Sequence, residues 1–316
     1  MMARTHESVT PTPTATAIQI GIGSVEYPDL PLTKVIDELA RYGLRATELV
    51  ARKNISRADV REVQELLARR GISINSVSAF TKLNEAVHER VQDVQQLIIE
   101  CVELAAEIKA PYTITYFGSN ALLNDQDAIA RYAELVQPCV RAAESKGVHL
   151  LVENLFDAVP PEIPATFRQN YRSSDVTRSA GGCLALLEAV DSEWFRFNFD
   201  PGNFFIGGEE PYPYAYRLLK PYIANVHLKD AAKFDPEVWG ELLPSELQRD
   251  LRGDYTCVPI GSGGVNYGGL LKQLIADGYE GRVILEPHTG PRRLHKTIED
   301  SLAYLRSQGI EVTHGG

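Results

Sequence analysis

From residue 17 onward the chain alternates between short runs rich in apolar and β-branched residues and longer amphipathic stretches, and no other feature restricts its fold as much. Eight such runs can be read: AIQIGIG (17–23), ATELV (46–50), SINSVSA (73–79), YTITYF (112–117), HLLVEN (149–154), FRFNFD (195–200), IANVHLKD (223–230) and RVILEPH (282–288). Between them, segments such as LTKVIDELARYG, ADVREVQELLARRG and AIARYAELVQPCVRAAESKG repeat apolar residues at spacings of three and four, often with a Gly just past the end. Parallel neighbouring strands need a crossover, and a helix supplies it, so this alternation implies βαβ units. Eight units predict an α/β fold of the (β/α)8 barrel type, whereas an open doubly wound sheet more often stops at five or six strands. The turn after the first run, GIGSVE, carries only two of the three glycines of a dinucleotide-binding fingerprint.

A chain of 316 residues suits one barrel with insertions. No boundary divides residues 17–312, which read as a single domain, because the Pro-rich stretches fall between strands and helices. Residues 1–16 are polar and rich in Thr and Pro, with no apolar core of a secretory signal, and read as a disordered tail. Two connections are too long to be simple turns: 155–174 after the fifth run and 231–264 after the seventh. Both leave the C-terminal ends of strands, where a barrel builds its site, so they are candidate lids or, equally, insertions with no part in the chemistry.

The net charge of -10 and a pI near 5.3 set up a field that repels phosphate backbones and anionic lipid, which argues against nucleic acid and membranes as partners. No run approaches the roughly 18 apolar residues of a membrane span. Cys101, Cys139, Cys183 and Cys257 are widely spaced with no C-x-x-C pair, as expected of reduced, buried thiols in a cytoplasmic protein.

The strand ends carry the chemistry. The fifth run ends at Glu153, the sixth at Asp200, the seventh at His227 and the eighth at Glu286. Singly, such residues are more often solvated, salt-bridged or structural. Four at equivalent positions on successive strands converge above the barrel, where they would repel and desolvate one another without a cation. Three carboxylates and an imidazole suit one divalent metal ion, Mn2+ foremost, with Mg2+, Co2+ and Zn2+ also compatible.

With VEN, NFDPGN, VHLKD and the glycine-bearing PIGSGGVNYGGLLKQLIADGYEGRVILEPH, the sequence resembles the sugar phosphate isomerase/epimerase family, the xylose isomerase-like TIM barrels that include ketose 3-epimerases, hydroxypyruvate isomerase and inosose dehydratase. The resemblance covers most of residues 17–310 and is most specific in the C-terminal half. It implies a single metal held by Glu153, Asp200, His227 and Glu286. It also implies proton removal beside a carbonyl through a metal-stabilised enediolate, with Glu153 and Glu286 as paired base and acid. Return of the proton gives epimerisation or isomerisation of a keto-sugar or polyol-derived substrate; loss of a β-hydroxyl instead gives a lyase or dehydratase acting on a 3-keto sugar or inosose. A non-catalytic carbohydrate-binding barrel is the reading from another class.

Two positions depart from the ketose 3-epimerases: Asn203 stands where they carry a substrate-contacting His, and Lys233 where they carry an Arg. The HLKD form of the seventh run is closer to the inosose dehydratase-like branch. Lys229 shares the parity of His227 and should point inward, to substrate or to a barrel carboxylate. Asp230, of opposite parity, should orient a neighbour or cap the following segment. Glu48 is an inward candidate for substrate hydroxyls or for an ion pair, and Asn203 and His288 are further candidate substrate contacts. Phe156, Trp239 and Tyr255 offer aromatic faces in the long connections, and Arg168, Arg172, Arg292 and Arg293 are either phosphate contacts or surface. A small carbohydrate is the expected ligand, and the sequence leaves room for a homo-oligomer.

Overall fold

The computed structural model describes residues 18–27, 30–51, 60–85, 90–120, 122–160, 162–170 and 175–310. The tail at 1–16 and Arg172 lie outside them. Eight parallel strands close in the order β1-β11-β7-β6-β5-β4-β3-β2. They are β1 (Gln19–Gly23), β2 (Ala46–Val50), β3 (Ser73–Lys82), β4 (Tyr112–Tyr116), β5 (His149–Glu153), β6 (Phe195–Phe199), β7 (Ile223–Leu228) and β11 (Arg282–Leu285). Outside them run α1 (Leu32–Arg41), α2 (Val60–Arg70), α3 (Val91–Glu107), α4 (Asp125–Lys146), α5 (Ala180–Val190), α6 (Pro201–Ile206), α7 (Tyr216–Leu219), α8 (Pro236–Trp239), α9 (Tyr267–Ala276) and α10 (Gly290–Ser307). The expected (β/α)8 barrel is therefore the fold.

The helix ends follow local chemistry. Asn124 and Ser179 accept the backbone N–H groups of Asp127 and Gly182 at the starts of α4 and α5, and Gly147 closes α4 in the left-handed conformation, φ 66°. Ile36, Leu39, Ile98, Val102, Val136 and Leu270 are fully buried and fill the layer between helices and strands. The four cysteines are buried and free, as expected. Among the described residues no helix is long and apolar enough to cross a membrane.

Barrel interiors are usually packed with branched apolar side chains, and this one carries a polar chain instead. Asn75 on β3 donates to Asn225 on β7 (3.0 Å), Asn225 to Asn198 on β6 (2.8 Å), and Asn198 to Oε2 of Glu153 on β5 (2.9 Å). Because β3 and β7 lie on opposite sides of the ring, the first of these bonds runs through the middle of the barrel. The asparagines thus couple the barrel floor to a residue at the C-terminal ends of the strands.

The two long connections are the largest departure from simple βα turns. The seventh run was read as one strand to residue 230, but β7 stops at Leu228, and Asp230–Lys233 opens a new strand, β8. With β9 (Leu247–Asp250) and β10 (Gly253–Val258) it forms an antiparallel three-stranded sheet, where the sequence reading saw only loop. Asp230 is the cause: its carboxylate accepts the backbone N–H groups of Ala231, Gly261, Gly263 and Val265, so the chain turns out of the barrel there and returns to the same point. The connection after β5 packs on this excursion. Val159 donates to the Arg249 carbonyl, Arg249 to the Ile163 carbonyl, and Arg168 pairs with Asp254 at 2.6 Å.

Gly21 lets β1 lie close to both its neighbours, since a Cβ there would meet the Ala46 carbonyl oxygen of β2 and the Ile284 methyl of β11, each at 2.7 Å. Gly21→Ala is expected to cost about 1–3 kcal/mol through overpacking, with a lowered melting temperature in thermal unfolding. An unchanged melting temperature would show that the strands part freely.

Candidate functional site

The structure brings the four strand-end residues together. Glu153 ends β5, Asp200 follows β6, His227 lies in β7 and Glu286 follows β11; one ligand atom from each lies within 4.8 Å of the others, and all four residues are buried. Asp200 is also the N-cap of α6, its Oδ1 accepting the Asn203 N–H at 2.9 Å. Helix α6 can sit that close to the site because of Gly202, where a Cβ would meet the Lys229 carbonyl oxygen at 2.4 Å.

His227 is the hub. Its Nε2 lies 3.2 Å from Oε2 of Glu48, and Glu48 in turn accepts the Ser76 hydroxyl at 2.6 Å. The other nitrogen, Nδ1, lies 3.3 Å from Oε2 of both Glu153 and Glu286 and forms a hydrogen bond with neither. A ring nitrogen fixed by one carboxylate while the opposite nitrogen faces two others is the usual support of a metal-binding histidine. The donor set, its burial and this unpartnered nitrogen together fit a divalent cation.

The charges reinforce that fit. Four buried carboxylates, from Glu48, Glu153, Asp200 and Glu286, face the side chains of His227 and Lys229. Lys229 Nζ lies 2.6 Å from Asp200 and 3.1 Å from Glu286, and also donates to Asn203 at 3.3 Å. Burial alone would lower the pKa of His227, but Glu286, Glu153 and Glu48 raise it well above the ordinary value. Burial likewise opposes the charged form of Lys229, and Asp200 and Glu286 outweigh it. Burial would raise Glu286, yet His227 and Lys229 hold it well below the carboxylate range, whereas burial prevails at Asp200, whose pKa is raised.

A cavity of about 350 Å³ opens over the cluster, lined in part by Glu153, Asn203, Lys229, Glu286 and His288. Asn203 donates through Nδ2 to Glu153 Oε1 (3.3 Å) and to the Asn154 carbonyl (2.9 Å), so it faces the cavity and fixes a glutamate at once. His288 has left-handed backbone, φ 45°, and its ring bridges Glu26 (2.9 Å) and Glu286 (3.2 Å). Burial would lower its pKa, but Glu26 and Glu286 push it up to about 10. Glu48 lies beneath His227, 1% exposed, away from the residues that line the cavity.

Of the three aromatic side chains in the long connections, Phe156 lines the cavity; Trp239 packs under Arg293 and Tyr255 against Phe205. Arg168 pairs with Asp254 and Arg293 with Glu246, and no arginine lines the cavity among the described residues. Sequence reasoning missed Phe80, Lys82, Tyr116, Val25, Gln248, Leu155 and Ala158, which complete the wall among the described residues. Tyr116, one residue inside the end of the fourth run, shares the position of Glu153 in the β4–β5 register, a signal that could have found it. Phe80 has φ 46° and is 53% exposed, an apolar ring held over the opening that no pattern announces.

Residues 36–308 match the family model described as a xylose isomerase-like TIM barrel. Among solved structures, a D-tagatose 3-epimerase-like protein superposes with a TM-score of 0.70 at 20% identity, over 94% of this chain and 100% of that one. The 3-keto-D-glucoside 4-epimerase of E. coli gives a TM-score of 0.70 at 15% identity, over 92% and 99% of the two chains. A xylose isomerase-like TIM barrel protein from Mycobacterium smegmatis, solved in complex with magnesium, gives 0.66 at 18% identity, over 96% and 100%. At these identities the likeness is one of fold. No curated protein matches the sequence.

A cation bound only by the folded chain must stabilise it, by about 2.7 kcal/mol at a hundred times its dissociation constant. Adding Mn2+, Mg2+, Co2+ or Zn2+ to chelator-treated protein is therefore expected to raise its melting temperature, and His227→Gln to abolish the rise. No shift with any of the four ions would count against the site.

Proposed function

This chain belongs to the xylose isomerase-like TIM-barrel family, and from that premise we propose that it is a divalent-metal-dependent isomerase or epimerase acting on a keto-sugar or polyol-derived substrate. The observation that carries the reading is the pair of glutamates on either side of His227, each 3.3 Å from its Nδ1 and each lining the cavity. Glu153, Asp200, His227 and Glu286 would hold a divalent cation, which would supply Lewis acidity toward a substrate carbonyl.

The two glutamates are supported differently. Glu286 lies beside Lys229 and His288, both cationic, so protonating it is costly. Glu153 is held instead by the neutral amides of Asn198 and Asn203, which fix its carboxylate at the cavity wall. We therefore assign removal of the proton from the carbon beside the carbonyl to Glu153. Its return to the adjacent carbon falls to Glu153 itself, whereas delivery to the other face requires Glu286 to take up a solvent proton first. Lys229 reaches the cavity with its ammonium group, where it can donate to a substrate oxygen and oppose the negative charge that develops there. Phe80, Tyr116 and Phe156 supply apolar surface for a sugar ring and keep water from the reacting carbon.

The 3-epimerase-like protein and the 3-keto-D-glucoside 4-epimerase share the fold and support this class of chemistry. A panel of ketohexoses, inososes and 3-keto-glycosides, incubated with the Mn2+-supplemented enzyme in heavy water and followed by NMR, tests it. An isomeric product carrying solvent deuterium is expected. An unsaturated product would replace the isomerase with a lyase on the same scaffold. Glu153→Gln is expected to lower kcat by roughly 10²-fold or more while metal analysis still finds bound ion. Full activity in that variant would remove Glu153 from the proton transfer, and no product from any sugar of the panel would leave a carbohydrate-binding barrel as the better reading.

A further inference from the structure

Side chains alternate between the two faces of a strand, so Asn75 and Ser76 of β3 should point in opposite directions. Both are instead buried and hydrogen-bonded to groups inside the barrel. A one-residue slip in the pairing with β2 is the reason. Thr47 pairs with Ile74 but Glu48 pairs with Ser76, which leaves Asn75 as the extra residue of a bulge. A second slip lies in β7, where Phe197 pairs with Ile223 but Asn198 with Asn225, so that Asn225 comes level with Asn198.

The two hydrogens of the Asn75 amide go to two acceptors. One meets Oδ1 of Asn225 at 3.0 Å and the other Oγ of Ser76 at 3.3 Å. From Asn225 the bonds run through Asn198 (2.8 Å) to Oε2 of Glu153 (2.9 Å). From Ser76 they run to Oε2 of Glu48 (2.6 Å), which also takes Nε2 of His227 at 3.2 Å. Glu153 and His227, two of the four candidate metal ligands, are thus each three hydrogen bonds away from one NH2 group.

This bonding fixes sense as well as position. Asn225 accepts from Asn75 with its oxygen and so turns its own NH2 toward Asn198, and Asn198 does the same toward Glu153. Ser76 accepts from Asn75 and has its one proton left for Glu48. That carboxylate keeps a proton on Nε2 of His227, so the ring presents Nδ1 to Glu153 and Glu286. The cost falls on Asn75, whose Oδ1 is buried with no hydrogen bond among the described residues. An unpaired buried carbonyl destabilises the fold, so Asn75 is a poor residue for holding a barrel together and a good one for orienting what lies at the two ends.

We infer that Asn75 is a positioning residue for the metal centre: through Asn225 and Asn198 on one side, and through Ser76 and Glu48 on the other, it orients Glu153 and His227 together. This role rests on the cation reading of the site and not on the sugar chemistry proposed for it. Asn75 itself hydrogen-bonds to none of the four ligands and lines no part of the catalytic cavity.

Calorimetric binding of Co2+ to chelator-treated protein, together with the visible spectrum of the bound ion, reads the site without any substrate. Asn75→Leu, which keeps the branching of the side chain, is expected to weaken Co2+ by about tenfold and to shift its absorption, as the loss of a support to a metal ligand does. Ser76→Ala and Asn225→Leu cut one branch each and are expected to weaken it by less. Added to the Ser76→Ala/Asn225→Leu pair, Asn75→Leu is expected to change nothing further, because no branch is left for it to act through.

Wild-type affinity and spectrum in Asn75→Leu, or its full loss on top of the pair, would overturn the inference. Should Asn75→Leu fail to fold, the single-branch variants decide: a loss in both supports the role, and unchanged Co2+ binding in both removes it. Wild-type protein that binds no divalent ion would overturn the metal centre and this role with it. Failure of the sugar panel with the Co2+ results intact would remove only the proposed reaction.

Discussion

Charge held in the buried end of a barrel is the constraint to which the rest of this structure answers. Glu48, Glu153, Asp200 and Glu286 occupy one end of a closed barrel, with His227, Lys229 and His288 to offset them among the described residues. Every surrounding feature either supplies a donor to these groups or brings one close. Asn198 and Asn203 hold Glu153, the start of α6 holds Asp200, Ser76 holds Glu48, and Glu26 holds the His288 that faces Glu286. Even the polar ladder of Asn75, Asn225 and Asn198 makes sense in these terms, since an apolar barrel floor would leave the Glu153 carboxylate without a donor from below. Removing one partner from such a network leaves the others buried and unpaired, so the site is held as a unit.

The barrel was legible in the sequence because its signal is periodic and repeated eight times, so that errors at single ends do not matter. The runs differ from the observed strands by a few residues, as where SINSVSA continues to Lys82 and RVILEPH stops pairing at Leu285. The four central residues were legible for another reason: each ends a strand, and their types share one chemistry. Parity correctly separated His227 and Lys229 from Asp230, which turned out to organise the chain that leaves the barrel.

What escaped the sequence is what depends on the closing of the ring. That Glu48 would meet His227, 179 positions away, follows from barrel geometry and from nothing local. The antiparallel sheet within residues 230–258 was hidden because its strands are short and its polar residues, among them Arg249, Asp250 and Asp254, read as loop. Those polar residues hold the sheet against the connection after β5, through Arg168, Arg249 and Arg252. The cavity wall was hidden likewise, because Phe80 and Gln248 come from segments whose folding no residue pattern declares.

The four backbone N–H groups gathered by Asp230 fasten the departing and the returning chain to one carboxylate, with Gly263 and Gly264 packed so closely there that a Cβ would meet Asp230 Oδ1 at 2.2 Å and the Phe205 ring at 2.0 Å. Everything between those two points leaves and re-enters the barrel through one carboxylate, and its other fastenings run to the connection after β5 and to α10 rather than to the strands. Its length and sequence can thus change without moving the chain at His227, three positions before that carboxylate, or at Glu286 beyond it. A protein built this way can exchange the roof over its cavity, and with it the range of molecules admitted, while the floor on which the chemistry is done stays as it was.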